Sequence, residues 1–167
     1  MKTLEMPDSH YVSAAVGWLG LGNWQEANDE LNLVAPEFRT HPAVQQVRWQ
    51  ICAKAERWEM AAEIAKDLRR SEPGEPQHWL NLAYATRRTE GGGLDSAREI
   101  LAKAHKLFPK EPIIAYNLAC YECQLGQSKK AWKRYQKALE LGDSKALKRM
   151  ALEDNDLEPL WPEIREK

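Results

Sequence analysis

The sequence predicts an all-α fold built from repeated pairs of antiparallel helices. Three observations carry this reading. One short segment recurs four times at nearly constant spacing. Residues that lose little on entering a helix (Ala, Leu, Glu, Lys, Gln, Arg) are abundant, whereas Val, Ile and Thr are sparse. Prolines and glycines fall where such helices would begin and stop.

The recurring segment is a break, a bulky residue, two spacers, an alanine, then apolar residues at helical spacing. Its copies are Gly22-Asn23-Trp24-Gln25-Glu26-Ala27, Glu56-Arg57-Trp58-Glu59-Met60-Ala61, Gly93-Leu94-Asp95-Ser96-Ala97 and Gly126-Gln127-Ser128-Lys129-Lys130-Ala131. The alanines are 34, 36 and 34 residues apart. The two extra residues lie beside Gly91-Gly92-Gly93, where an insertion costs little. Small residues at helix crossings let backbones approach, and bulky ones fill the adjoining gaps. Pro42, Pro76 and Pro112 suit the first turn of a helix, and Gly22, Gly91 and Gly126 suit a stop.

This period and pattern resemble the tetratricopeptide repeat (TPR) family, whose unit of 34 residues folds as two antiparallel helices. The best copy runs from Pro112 to Gly142, with Asn117-Leu118-Ala119 in the first helix and Ala131, Tyr135, Ala138 and Leu139 in the second. The third carries Trp79, Leu82, Ala83, Ala97, Leu101, Ala104 and Pro109. In the second, Ala61, Ala65 and Pro73 fit, while Trp49 stands where the family prefers Gly or Ala. The first matches at Ala15, Trp18, Gly22, Trp24 and Ala27 and departs from the pattern at Val34 to Pro36. The resemblance implies a right-handed superhelical solenoid of about four helix pairs in one domain. The repeats fall at approximately 8–41, 42–75, 76–111 and 112–143, with a C-terminal cap over 144–167.

In that cap, Ser144 to Leu152 read as a helix with Ala146, Leu147, Met150 and Ala151 inward. Asp156 reads as an N-cap before Leu157-Glu158-Pro159. Leu157, Leu160 and Trp161 can cover the apolar end of the last repeat. The segment is similar to one that follows some bacterial TPR arrays.

Lys plus Arg number 24 and Asp plus Glu 25, so there is no basic excess of the kind that binds nucleic acid or membrane surfaces. Neither is expected as a partner. Three cysteines do not make a disulfide framework and fit a reducing compartment. Glu5 and Asp8 interrupt any secretory pattern at the N-terminus, and no apolar run reaches the roughly 18 residues of a membrane span. A cytoplasmic protein is expected.

Helix pairs stacked in this way curve, and their first helices line the inner face, where the family commonly holds a peptide or partner helix. Spacing places Gln46, Gln50, Ala53 and Lys54 there in the second repeat. It places Leu80, Asn81, Tyr84, Arg87 and Arg88 there in the third, and Ile113, Tyr116, Asn117, Cys120 and Gln124 in the fourth. Tyrosines, amides and cations together suit an extended segment with acidic and apolar side chains. Some relatives clamp a terminal carboxylate with basic and asparagine residues. Asn81 and Asn117 hold comparable sites here, but Gln46, Gln77 and Ile113 stand where the cations would be.

A second candidate surface is the first helix, because Tyr11 to Leu21 carry no charge. An end helix normally shows water a polar face. Tyr11, Val12, Ala15, Val16 and Leu19 are therefore candidates for a homodimer or partner interface. The bland alternative is that residues 1–10 fold back over this helix.

No catalytic residue, cofactor site or metal site is expected, and the protein reads as non-enzymatic. Cys120-Tyr121-Glu122-Cys123 falls inside a helix, and zinc would need two further ligands. Glu153-Asp154-Asn155-Asp156 lacks the glycine and distal glutamate of a calcium loop. Lys129, Lys130, Lys133, Arg134 and Lys137 read as a solvated outer face. The expected function is a protein- or peptide-binding module. Alternatives are a self-assembling structural protein or a chaperone for an exported protein.

Overall fold

The structure, a computed structural model, describes residues 3–166. Among these there is no strand; the elements are α-helices and two 3-10 segments. In chain order the helices are α1 (Asp8–Gly20), α2 (Trp24–Asn32), α3 (Pro42–Lys54), α4 (Trp58–Ser71) and α5 (Pro76–Thr86). They continue with α6 (Leu94–Leu107), α7 (Pro112–Gln124), α8 (Ser128–Leu141), α9 (Ser144–Glu153) and α10 (Trp161–Glu166). The chain divides into two compact units, the first ending at Ala85 and the second beginning at Thr86.

Local chemistry sets these boundaries. Pro42, Pro76 and Pro112 each open a helix, where the missing N–H costs nothing. The Asn23 side chain accepts a hydrogen bond from the Glu26 N–H at 3.2 Å and starts α2. Asp143 accepts from the N–H groups of Lys145 (2.9 Å) and Ala146 (3.0 Å) and starts α9. Caps of this kind are worth about 1 kcal/mol each. Between α7 and α8 the chain turns at Gly126 with φ 71°, a left-handed conformation that a side chain resists.

In the first unit, α1, α2 and α3 meet on Ala15, Ala27, Leu31, Val34, Val44, Val47 and Ile51, all at most 5 % exposed. Leu4 folds back to pack on this cluster, as do Tyr11, Val12, Trp18 and Leu19 of α1. Alanines at the crossings bring the helices close, and each buried Leu or Ile adds roughly 1.5–3 kcal/mol. The departure noted at Val34 to Pro36 has a structural form. α2 stops at Asn32 after 9 residues, against 14 for α4, α6 and α8, and a 3-10 segment Pro36–Phe38 follows. The buried Asp8 carboxylate accepts from the Ala35 N–H at 2.7 Å and holds that connection against α1.

The second unit is centred on α7. From Leu118 to Cys123 every residue of α7 is buried, although α4, α6 and α8 each bury one face. A helix buried all round needs neighbours all round. Here α6 and α8 pack on it, and so does the second 3-10 segment, Asn155–Leu160. That segment buries Leu157 (0 % exposed) and Leu160 (2 %), and α10 adds Ile164 (1 %). The Trp161 indole donates to the Ala151 carbonyl at 2.8 Å. Met150, expected inward on α9, is 39 % exposed, while Leu147 and Ala151 supply the buried face.

Candidate peptide-binding faces

Counting from the opening proline of α3, α5 and α7, the side chains at the fourth, eighth and twelfth residues onward form one stripe per helix. The stripes are Gln46, Gln50, Lys54; Leu80, Tyr84; and Tyr116, Cys120, Gln124, while Arg88, the twelfth residue after Pro76, lies beyond the end of α5 at Thr86. A spacing of four keeps each set on one face. The two units present these stripes differently.

In the first unit the stripe is open. Gln50 and Lys54 are exposed, Gln46 and Leu80 are half-buried, and Tyr84 is 41 % exposed. The Tyr84 ring stands edge-on to Trp49 at 6.3 Å and to Trp58 at 5.8 Å between centroids. Such pairs hold an aromatic anchor in one orientation, so that little freedom is lost when a ligand covers it. Sequence spacing found Tyr84 but not its two supports. Trp49 stood out as a departure from the repeat pattern, and that departure was the signal.

Asn81 plays a different part from the one expected. It is 2 % exposed, its Oδ1 accepts from Gln77 Nε2 at 2.8 Å, and its Nδ2 donates to Gln46 Oε1 at 3.2 Å. The amide ties α3 to α5 and has little capacity left for a ligand backbone. Asn117 likewise donates to its own helix, at the Ile113 carbonyl, 2.9 Å away.

In the second unit the stripe is covered by the chain itself. Tyr116 (3 % exposed) donates its hydroxyl to Asp154 Oδ2 at 3.0 Å, and the Cys120 thiol (2 % exposed) lies 3.4 Å from the same oxygen. Gln124 Nε2 donates to the Asp156 carbonyl at 3.1 Å. Arg87 grips the Asp156 carboxylate with both terminal nitrogens, one of them at 2.8 Å. Arg87 also stands over the Tyr121 ring, 5.2 Å from its centroid. Tyr116 and Cys120 therefore do not line an open groove, because Asp154 to Leu160 fill it. The helix-capping role expected of Asp156 belongs to Asp154, whose Oδ1 accepts from the Asp156 N–H at 3.0 Å. Arg88 remains exposed beside this segment.

Electrostatics follow the burial. The Cys120 thiol is pushed well above its ordinary value, first by desolvation and then by Asp154, and the Tyr116 hydroxyl likewise by desolvation, then Cys120 and Asp154. Tyr121 rises to about 12 through desolvation, with Arg87 and Arg88 opposing. Desolvation also raises the thiols of Cys123 and Cys52. Protonated, buried thiols are poor nucleophiles and poor metal ligands. Among the described residues no three His, Cys, Asp or Glu side chains converge to hold a metal ion, and no helix is long and apolar enough to cross a membrane.

Of the five α1 candidates, Ala15 is fully buried and Tyr11, Val12 and Leu19 are half-buried on the core. Val16 alone faces out, at 49 % exposed, beside Ser13, Gly17 and Gly20. The helix is uncharged because much of its circumference packs.

No protein-family model and no curated protein matches the sequence. Solved structures do. The fold is similar to TTC0263, a thermophilic TPR protein of Thermus thermophilus, with TM-score 0.74 and 19 % identity over 94 % of this chain and 82 % of that one. It is also similar to MamA, residues 41 to the end, from Desulfovibrio magneticus RS-1. There the TM-score is 0.70 at 19 % identity, covering 82 % of this chain and 76 % of the other. At such identities the likeness establishes the fold, which is TPR-like and all-helical.

Proposed function

We propose that this protein is a non-catalytic cytoplasmic module that binds a partner protein through an extended, acidic segment laid on the α3/α5 face of the first unit. One observation carries the reading. On α7, the fourth, eighth and twelfth positions after the opening proline hold the chain's own Asp154–Asp156 turn. The same positions in the first unit are Gln46, Gln50, Lys54, Leu80 and Tyr84, of which Gln50, Lys54 and Tyr84 are exposed and Gln46 and Leu80 half-buried. The bound turn is an example of the chemistry such a stripe takes, namely carboxylates and a backbone carbonyl on tyrosine and amide groups. Tyr84, braced by Trp49 and Trp58, supplies a flat apolar anchor, and Lys54 supplies charge. No constellation of nucleophile, base and oxyanion donor accompanies them.

Fluorescence anisotropy with labelled peptides that alternate Asp or Glu with aliphatic residues tests this. Tyr84→Ala and Lys54→Glu should each weaken the tightest binder by about tenfold, a loss ordinary for an anchor residue. Equal binding by wild type and both variants would remove this face from consideration.

A further inference from the structure

The last helix pair is incomplete on its outer side. The second helices α4, α6 and α8 each run 14 residues, whereas α10 runs 6. The outward stripe of α8 is consequently only part-covered. A cleft of about 420 Å³ opens there, with Trp132, Leu139 and Ile164 as its apolar surface and Lys145 and Lys148 of α9 on its side. One period earlier, on α6, the places of Trp132 and Leu139 are taken by Arg98 and His105. There Arg98 Nε and His105 Nδ1 are out of solvent, while both residues as a whole stay half-buried, as Trp132 and Leu139 are. In the same unit α7 packs on α6, and the positive charges of Arg134 and Lys137 on α8 are felt at His105. The neighbour that packs on α6 is itself a helix.

Charge selects the occupant. α8 and α9 together carry eight Lys or Arg and two Glu. Glu140, which also lines the cleft, is paired with Lys137 at 3.0 Å. Lys145 and Lys148 have no carboxylate within salt-bridge distance among the described residues. We infer that the α8/α9/α10 cleft docks an amphipathic helix of a partner protein, with apolar residues on Trp132, Leu139 and Ile164 and acidic residues facing Lys145 and Lys148. The site is separate from the α3/α5 face and takes a helix rather than an extended segment.

The test uses the full chain and a fluorescent helical peptide with leucines at i, i+3, i+4 and i+7 flanked by glutamates. A scrambled peptide of the same composition, a lysine-flanked version and phosphatidylserine vesicles complete the set. The acidic helix should bind and its scramble should not. Lys145→Glu/Lys148→Glu should weaken it by about tenfold and strengthen the lysine-flanked helix, because like charges across a contact repel. Tyr84→Ala should leave this titration unchanged, so failure here and failure of the α3/α5 reading are distinguishable. Lys145 is exposed and Lys148 half-buried, and an unaltered circular dichroism melt of the variant shows that its fold is intact. Equal binding of the scramble, an unchanged titration with the double variant, or capture by vesicles with no binding of the peptide would each overturn the inference.

Discussion

Glu56 stands where Gly22 and Gly126 stand in the first and last repeats, and all three have positive φ, at 54°, 81° and 71°. The repeat alignment made that equivalence legible before any coordinate did. A left-handed conformation costs a side-chain-bearing residue about 1–2 kcal/mol, against which glycine loses somewhat more freedom on folding. Glu56→Gly should raise stability by about 0.5–1 kcal/mol, read as a higher urea midpoint; an unchanged or lower midpoint would show that Glu56 is unstrained. His105 gives a second prediction at this scale. Burial lowers its pKa, and Arg134 and Lys137 lower it further. The native state therefore resists protonation more than the unfolded chain, whose histidine titrates near 6.5. Its neutral form costs nothing above that pH, and stability is lost as pH falls below it toward the depressed native value. His105→Gln should flatten the decline in urea midpoint between neutral pH and pH 5, and a decline as steep as wild type would refute the assignment. Asn81 and Asn117 mark the limit of residue-level reading. Their positions were legible, but their bonds depend on Gln77, Gln46 and the Ile113 carbonyl, which spacing alone does not orient.

Helices with a clear start and stop were the most legible elements. α9 spans Ser144–Glu153, against the expected Ser144 to Leu152, because Asp143 caps it and Asp154 leaves it. The uncharged α1 was less so, since an apolar sequence does not tell packing against its own core from packing against a partner. Hardest was the segment after α9. Its apolar residues announced a cover, yet its path over α7 depends on Arg87 and Tyr116, distant in sequence. Leu157, fully buried there, is the residue on which the cover depends. Leu157→Ala should destabilise the second unit by about 2–4 kcal/mol. It should also speed the reaction of Cys120 with a thiol reagent while leaving Cys52 of the first unit slow. Unaltered labelling of Cys120 would mean that the segment does not shield α7.

At the scale of the whole molecule, the architecture was legible because a repeat states its period several times over, and one imperfect copy does not obscure it. Which faces are open was not legible, because that is decided by the last residues of the cap. Charge behaves similarly. The near-zero total conceals 8 Lys or Arg against 12 Asp or Glu up to Ala85, and 16 against 13 from Thr86 onward. A search for one basic or acidic surface therefore starts from the wrong average.

The turn at Asp154–Asp156 also sets a threshold for recognition. It is tethered directly to α9, so α7 meets it at an effective concentration on the order of millimolar or above. A free acidic segment at ordinary cellular abundance competes poorly against a ligand so permanently at hand. The fourth repeat is thereby self-saturated, and selectivity among diffusing partners passes to surfaces that the chain does not occupy with its own residues.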